Sequence, residues 1–187
     1  MAFDPMKHVT HHLDDEAVTR IAEAAMHASS RDRGERVAIE VGAWAGATTR
    51  ILADMGFKVF VVDHWKGSPT DRVRIVVDQI GGQRKAAATF MKNMEGMLMR
   101  NVIPLFGEST FWGSVWPDDY PADLIYLDAG HGYHDIRDDI KVWTPHVAKG
   151  GILAGHDFGV GFPGVDRAVK ETGQYERDGQ AVWWRKL

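Results

Sequence analysis

The sequence has no cysteine among its 187 residues. This lack excludes disulfide bonds, a thiolate nucleophile and a thiolate zinc site, and it suits a reducing compartment. The sequence also lacks any apolar run of about 18 residues, the length that a membrane-spanning helix needs. Its amino terminus contains no hydrophobic core of the kind found in secretory signals. We therefore expect a cytoplasmic protein that has no membrane partner.

The sequence also lacks a large excess of charge of one sign. It has 22 lysines and arginines and 26 acidic residues, so the formal net charge is −4. No block of like charges interrupts this balance, so nucleic acid is not an expected partner. The apolar share of 44% and the charged share of 26% are ordinary values for a globular protein. The length predicts a single domain over residues 1–187. Within it we expect an N-terminal lead-in and helix (1–34) and a core (35–187) with an excursion over 64–100.

Short apolar runs alternate with amphipathic stretches along the chain. The runs predict strands over residues 37–41, 58–62, 102–106, 123–127, 152–154 and 181–187, the last paired in a hairpin with 175–177. Apolar residues at helical spacing predict helices over residues 14–29, 49–55, 85–99, 136–147 and 164–171, and an amphipathic turn or helix over 72–80. We expect Gly150-Gly151 to end the helix before it. The alternation predicts an α/β fold: a Rossmann-like, doubly wound, mostly parallel sheet with helices on both faces and an antiparallel C-terminal strand.

The stretch from Val37 to Gly46 is typical of a buried strand that turns tightly into a helix, the corner that cradles a nucleotide in such sheets. Trp44 stands where dinucleotide sites need a second glycine, which argues against NAD or FAD. Asp63 lies 21 residues after Gly42, about the spacing at which a carboxylate accepts hydrogen bonds from a ribose. Capping of the following loop is the alternative role for Asp63.

Polar residues follow five successive predicted strands. They are Glu40 to Gly46, Asp63, Glu108-Ser109, Asp128 with His131, and His156-Asp157. Ligands bind outside the carboxyl ends of strands in open parallel sheets, so these residues are expected to share one edge. The sequence therefore predicts one ligand site built from five separate segments.

The ordered set of motifs resembles class I S-adenosylmethionine-dependent methyltransferases. The resemblance begins with Glu40-x-Gly42-x-x-x-Gly46, an acid after strand two and Gly107-Glu108-Ser109. Later segments are similar to those of small-molecule O-methyltransferases of the macrocin type and, more distantly, the catechol type. These segments are Asp128-x-x-His131-x-Tyr133, Asp139-x-x-x-Trp143, Gly150-Gly151, Gly155-His156-Asp157-Phe158 and Gly164-Val165-x-x-Ala168-Val169. The resemblance covers roughly residues 36–172.

This resemblance implies S-adenosylmethionine (SAM) as the cofactor. It implies that Glu40, Gly42 and Gly46 surround its methionine part, Asp63 its ribose, and Glu108 with Ser109 its adenine. We add Ala43, Trp44, His64, Trp65 and Asp128 to the expected cofactor site. In metal-dependent members, carboxylates after strands four and five bind a divalent cation, usually magnesium. Asp128 and Asp157 match them, and His156, which stands where a second acid is common, completes the expected ligand set.

A metal would serve the chemistry expected of such an enzyme. A hydroxyl group with a high pKa is a poor nucleophile, and a hard cation lowers that pKa while it fixes the oxygen. Two aspartates and a histidine suit magnesium and also manganese or iron. His131, three residues after Asp128, can act as the general base. The alternative is that His131 and His156 only brace their loops.

We therefore expect an O-methyltransferase acting on a hydroxyl of a small molecule. The alternatives are a SAM-binding protein without transferase activity, a metal-independent methyltransferase and, disfavoured by Trp44, a nicotinamide oxidoreductase. The chain is short for the group, which leaves a homo-oligomer open, with a partner subunit completing the pocket.

Overall fold

A computed structural model of the chain describes residues 14–28, 34–68 and 72–187. The strands are β1 (Arg36–Val41), β2 (Phe57–Asp63), β3 (Val102–Phe106), β4 (Ala122–Leu127), β5 (Val147–Gly155), β6 (Glu176–Asp178) and β7 (Val182–Lys186). The helices are α1 (Asp15–Ala28), α2 (Ala47–Asp54), α3 (Arg72–Gln79), α4 (Gln83–Asn93), α5 (Ser109–Val115), α6 (Tyr133–Trp143) and α7 (Pro163–Glu171). A short 3-10 helix, Thr144–His146, links α6 to β5. The greater part of the predicted lead-in lies outside the described residues.

The strands form one sheet in the order β3-β2-β1-β4-β5-β7-β6. β1 to β5 pair in parallel, whereas β7 pairs antiparallel with both β5 and β6. Val41 at the end of β1 is in register with Val62 of β2 and Leu127 of β4, so the three strands end at one level. The order reverses between β1 and β4, the point at which such sheets bind ligands. The predicted fold, including its antiparallel C-terminal strand, is confirmed.

Alternate residues of the strands face two separate cores. In β1, Ala38 packs with residues of α1, α2 and α4 on one face of the sheet. Its neighbours Val37 and Ile39 pack with residues of α6 and α7 on the other face. Helices therefore cover both faces, which leaves the carboxyl edge of the parallel strands open. None of the described helices is long and apolar enough to cross a membrane.

One unpredicted helix and two helix ends are the larger differences between the predicted helices and the structure. α5 was not predicted, because its sequence lacks an apolar stripe and leaves Phe111 58% exposed. The helix predicted over 85–99 ends at Asn93, where turns begin. The helix predicted to reach Val147 ends at Trp143, because Pro145 lacks the N–H that a continued helix needs.

Gly150-Gly151 was wrongly predicted to end that helix, since both residues lie inside β5. The pairing of β4 with β5 shifts register between Ala122 and Leu124. At that shift, a Cβ on Gly151 would lie 2.9 Å from the carbonyl oxygens of Ala148 and Asp123. The glycine therefore allows a close approach of two strands, and the strand extends five residues further back than its apolar run indicates.

Candidate active site

A cavity of about 600 Å³ opens at the carboxyl edge of the sheet, a volume typical of small-molecule sites. Ten of the eleven predicted cofactor residues line it, namely Glu40, Gly42, Ala43, Trp44, Asp63, His64, Trp65, Glu108, Ser109 and Asp128. His131, His156 and Asp157 line the same cavity. The fold therefore brings together the end residues of five strands, as their positions in the sequence predicted.

Gly46 is the predicted cofactor residue that does not line the cavity. It is the N-cap of α2 with φ +94°, and a Cβ on it would lie 2.8 Å from the Cε of Met94. Its lack of a side chain thus permits α2 to start close to the residues that follow α4. Its position in the motif reflects helix packing, and its contact with the cofactor stays a prediction.

Gly42 is required by the backbone of the neighbouring strand. Its φ is +85°, and a Cβ there would overlap the carbonyl oxygen of Asp128 at the end of β4. Its N–H donates a hydrogen bond to the carbonyl of Val62 at 2.9 Å. Gly42 therefore allows the corner after β1 to lie against the backbone of Asp128, whose carboxylate belongs to the candidate metal site.

Asp63 clamps the two loops that border the cavity. Its Oδ2 accepts hydrogen bonds from the N–H groups of Ala43 (2.9 Å) and Trp44 (3.1 Å), and its Oδ1 accepts one from Trp65 (2.6 Å). Burial raises the pKa of this carboxyl, although the three hydrogen bonds oppose the rise. The side chain keeps 12% exposure in the cavity wall. Loop bracing is therefore observed for Asp63, and ribose binding stays a prediction.

Trp65 borders the cavity, yet its side chain is only 1% exposed. Its indole contacts the rings of Phe90 and Phe106 and donates a hydrogen bond to the carbonyl of Trp44 at 2.9 Å. Trp65 therefore holds the backbone of the corner after β1 in place through its hydrogen bond to Trp44. It offers little area for stacking on an adenine, which leaves its predicted cofactor contact without support from geometry.

Three further predicted residues form the wall towards α5. His64 and Glu108 are both open to solvent in part, with their side chains 3.9 Å apart. The Oγ of Ser109 accepts a hydrogen bond from the Nε1 of Trp143 at 2.8 Å. Ser109 is also hydrogen-bonded to Asp139, another residue of the cavity wall. The side chain of Ser109 is therefore held by α6.

Glu40 is 1% exposed at the end of β1. The hydroxyl of Thr49 in α2 donates a hydrogen bond to its Oε2. Burial raises the pKa of Glu40 to about 8 against the effect of that hydrogen bond, so the carboxyl is mainly protonated at neutral pH. Glu40 thus places a polar group in the cavity without a full negative charge.

Asp128, His131 and Asp157 form a group that could hold a metal ion, with one donor atom of each within 4.8 Å of the others. The Nε2 of His131 lies 2.5 Å from the Oδ2 of Asp157. Although burial opposes ionisation of Asp157, hydrogen bonds from His131 and His156 hold its pKa below the usual range. Two carboxyl oxygen donors and one imidazole fit a divalent cation.

His156 is directed differently from His131. Its Nε2 lies 3.1 Å from the Oδ2 of Asp14, and its Nδ1 lies 3.3 Å from the Oδ1 of Asp157. Burial alone would lower the pKa of His156, but the neighbouring carboxylates outweigh it and raise that pKa to about 9. The sequence reasoning placed His156 in the ligand set and His131 outside it as the base. The geometry instead groups His131 with the two aspartates.

Two residues of this region, Asp139 and Asp14, were not assigned to the site from the sequence. Asp139 is 5% exposed, and burial raises its pKa to about 7 while the hydrogen bond with Ser109 opposes the rise. Its motif with Trp143 was the available signal for it. Asp14 lies 142 residues from His156, and no local pattern in the sequence indicates their contact.

Comparison with known proteins places these features in a family. Residues 39–158 match a family model described as a methyltransferase domain. A sequence comparison with curated proteins gives no significant match. Among solved structures, the O-methyltransferase NovP superposes with a TM-score of 0.67 at 17% identity, covering 93% of this chain and 79% of its own. The calicheamicin methyltransferase CalS11 gives 0.65 at 15% identity, covering 97% and 79%.

A Streptococcus mutans protein, solved in complex with S-adenosylhomocysteine (SAH), gives a TM-score of 0.61 at 16% identity and covers both chains fully. These likenesses establish the fold, and the family match spans most of the strands that border the cavity. The cavity volume and its polar rim fit SAM, which carries no pyrophosphate and so needs no glycine at Trp44. The chain therefore belongs to the methyltransferase-domain family, as a class I S-adenosylmethionine-dependent methyltransferase.

Proposed function

We propose that the protein transfers the methyl group of SAM to a hydroxyl of a small molecule, with a divalent cation held by Asp128, His131 and Asp157. The observation that carries this proposal is the position of these three side chains. They share one cavity with the predicted cofactor residues, directly beside the corner after β1. A donor in that corner and a hydroxyl at the three side chains would be neighbours.

The residues of the chain supply positioning. Gly42 lets the corner approach Asp128, and Asp63 holds the corner through two backbone hydrogen bonds and the loop after β2 through a third. A methyl transfer forms an oxygen–carbon bond as the sulfur–carbon bond breaks, and it releases SAH and the proton of the hydroxyl. Alignment of the two reactants accounts for much of the acceleration in such displacements. When bound, the cation would lower the pKa of the hydroxyl and fix its oxygen.

The choice of His131 over His156 as third ligand rests on geometry. One donor atom each of Asp128, His131 and Asp157 lie within 4.8 Å of one another, and His156 is not part of that group. The Nε2 of His156 is directed at Asp14, and its Nδ1 is paired with Asp157 at 3.3 Å. Magnesium stays the expected metal, and the imidazole makes manganese equally suitable. The roles assigned to individual side chains are proposals.

One observation favours metal-independent methylation as a second candidate. His131 is paired with Asp157 at 2.5 Å, as a general base is often oriented by a carboxylate. In that case His131 itself would accept the proton of the hydroxyl. The two candidates assign His131 different tasks, so a chelator distinguishes them.

The charge of the cavity bears on the acceptor. Eight carboxyl-bearing residues line it, and none of the described lining residues is a lysine or arginine. A phosphate-bearing acceptor would therefore meet mostly carboxyl groups there, since His156, a cationic side chain of the lining, is already paired with Asp14 and Asp157. This distribution supports a neutral or cationic acceptor. The cytoplasmic location, the lack of a nucleic-acid partner and a homo-oligomeric state stay predictions.

Transfer of radiolabelled methyl groups from SAM to a panel of catechols, sugars and polyols tests the proposal. We expect activity that needs added Mg²⁺ or Mn²⁺, is lost with EDTA, and falls at least about 100-fold in Asp128→Asn. Asp54→Asn, at the exposed end of α2, is the matched control and should keep full activity.

Each alternative predicts a different result. Activity that survives EDTA but is lost in His131→Gln would replace the metal with a histidine base. SAH binding without transfer to any hydroxyl would support a SAM-binding protein that lacks transferase activity.

A further inference from the structure

We propose that Asp14, which directly precedes α1, is a positioning residue of the candidate metal site and acts through His156. The proposal rests on the metal-assisted function above and extends it to a part of the chain outside the matched family region. Asp14 is 3% exposed although it carries a carboxylate, and buried carboxylates need specific partners.

The partners of Asp14 come from two other elements. Its Oδ1 accepts a hydrogen bond from the N–H of Gln180 at 2.6 Å, and its Oδ2 accepts one from the N–H of Ala181 at 3.0 Å. Both groups belong to the turn between β6 and β7. The same Oδ2 lies 3.1 Å from the Nε2 of His156, at the end of β5. One carboxylate therefore joins the start of α1, the C-terminal hairpin and the edge of the cavity.

The turn is shaped to admit this carboxylate. Gly179 has φ +61°, and a Cβ there would overlap the Oδ1 of Asp14. The two N–H groups that follow it point at the oxygens, as in other anion-holding turns. The position of Asp14 is thus set by backbone groups, which hold it more rigidly than a surface ion pair.

The other nitrogen of His156 faces the candidate ligands. Its Nδ1 lies 3.3 Å from the Oδ1 of Asp157 and 3.9 Å from the Oδ1 of Asp128. With Nε2 held by Asp14, the ring presents Nδ1 to both carboxylates and limits their rotation. Groups that orient metal ligands in this way raise metal affinity about 10- to 100-fold. Asp14 would therefore preorganise Asp128 and Asp157 from outside the cavity.

The chain offers a matched control for this contact. Arg20 of α1 binds Asp178 of β6 at 2.7 Å, which ties the same helix to the same hairpin. Asp178 also accepts a hydrogen bond from the N–H of Gly179. Asp178→Asn therefore weakens the tether of α1 to the hairpin, while Asp14 and its contact with His156 stay in place.

The test is the binding of Mn²⁺ to the full chain, measured by calorimetry in the presence of saturating SAH. We expect Asp14→Asn to raise the Kd for Mn²⁺ about 10-fold or more. Asp178→Asn should leave that Kd within about twofold of the wild-type value, and both variants should keep the wild-type affinity for SAH. A purely structural role for Asp14 would weaken SAH and Mn²⁺ binding together.

Gly179→Ala provides a second route if Asp14→Asn does not fold. It keeps every charge but displaces the carboxylate, and it should weaken Mn²⁺ binding in the same direction. Wild-type affinity for Mn²⁺ in Asp14→Asn or Gly179→Ala would overturn the inference while leaving the metal site intact. A wild-type protein that binds SAH but not Mn²⁺ would instead overturn the metal-assisted function, and the inference with it.

Discussion

Gly42 shows how a residue that suggests a cofactor site can be fixed by the protein itself. The motif places a glycine at the first corner, where dinucleotide folds use it for a tight turn. In this chain the neighbouring carbonyl of Asp128 occupies the space that a Cβ would need. The glycine therefore serves strand packing, and it allows the cofactor corner to lie against the backbone of Asp128.

Alanine substitutions at Gly42 and Gly56 distinguish the cost of a strained backbone from the cost of crowding by a side chain. Gly56 has a similar φ of +96°, but a Cβ there meets nothing within 4 Å. Gly56→Ala should cost about 1–2 kcal/mol of unfolding free energy, the price of a left-handed backbone for a residue with a side chain. Gly42→Ala should cost about 3 kcal/mol or more, because overpacking is added. Urea denaturation of both variants measures the difference, and equal costs would show that β4 yields to the side chain.

Individual side chains could be placed from the sequence better than their partners could. Asp63 was expected at the cavity, and it is there. The donor of Trp65 matches the loop cap given as its alternative role. The donors of Ala43 and Trp44 were beyond the sequence, because they come from the corner after β1. Trp65 was expected to contact the cofactor; it borders the cavity while its indole packs on Phe90, and the cofactor contact stays a prediction. A bulky apolar residue next to a site can contact the ligand or pack in the core, and the sequence alone does not distinguish the two.

The antiparallel hairpin is the element that completes the candidate site from its far edge. In β7, Trp183 is fully buried and pairs with Gly155, whose Cβ would lie 2.8 Å from the indole. His156 follows that glycine directly. The packing of Trp183 against Gly155 thus fixes the position of the end of β5, which His156 and Asp157 follow.

Trp183→Ala should lower the unfolding free energy by about 3–5 kcal/mol, the usual cost of removing a large buried aromatic side chain. Trp184→Ala, in the same strand but only partly buried, should cost clearly less. Thermal and urea unfolding of the two variants provide the comparison. An equal loss in both would contradict the view that the hairpin is anchored through Trp183.

Elements with strong apolar patterns were predicted well, and those without them were missed. β3 was predicted residue for residue, since its apolar run is bounded by polar residues. α5 was missed because Phe111 and Val115 face outward and its buried position is a glycine. β5 was predicted too short, because its first residues include two glycines that only pairing with β4 explains.

At the scale of the whole molecule, the parallel sheet brings residues from five separate segments of the chain to one cavity. Strand ends that lie far apart in the sequence meet at one edge, which is why the cavity could be predicted without a structure. Contacts from outside the sheet could not be predicted in this way. Asp14 contacts His156 only because α1 and the C-terminal hairpin pack beside β5. No spacing in the sequence predicts that contact.

The most direct test of the account is a crystal structure of the protein grown with SAH and Mn²⁺, with the metal located by its anomalous signal. We expect SAH above Gly42, between Asp63 and Ser109, and a manganese ion bonded to Asp128, His131 and Asp157, with His156 still directed at Asp14. Manganese bonded to His156 in place of His131, or bound SAH with no metal at the three side chains, would contradict the account.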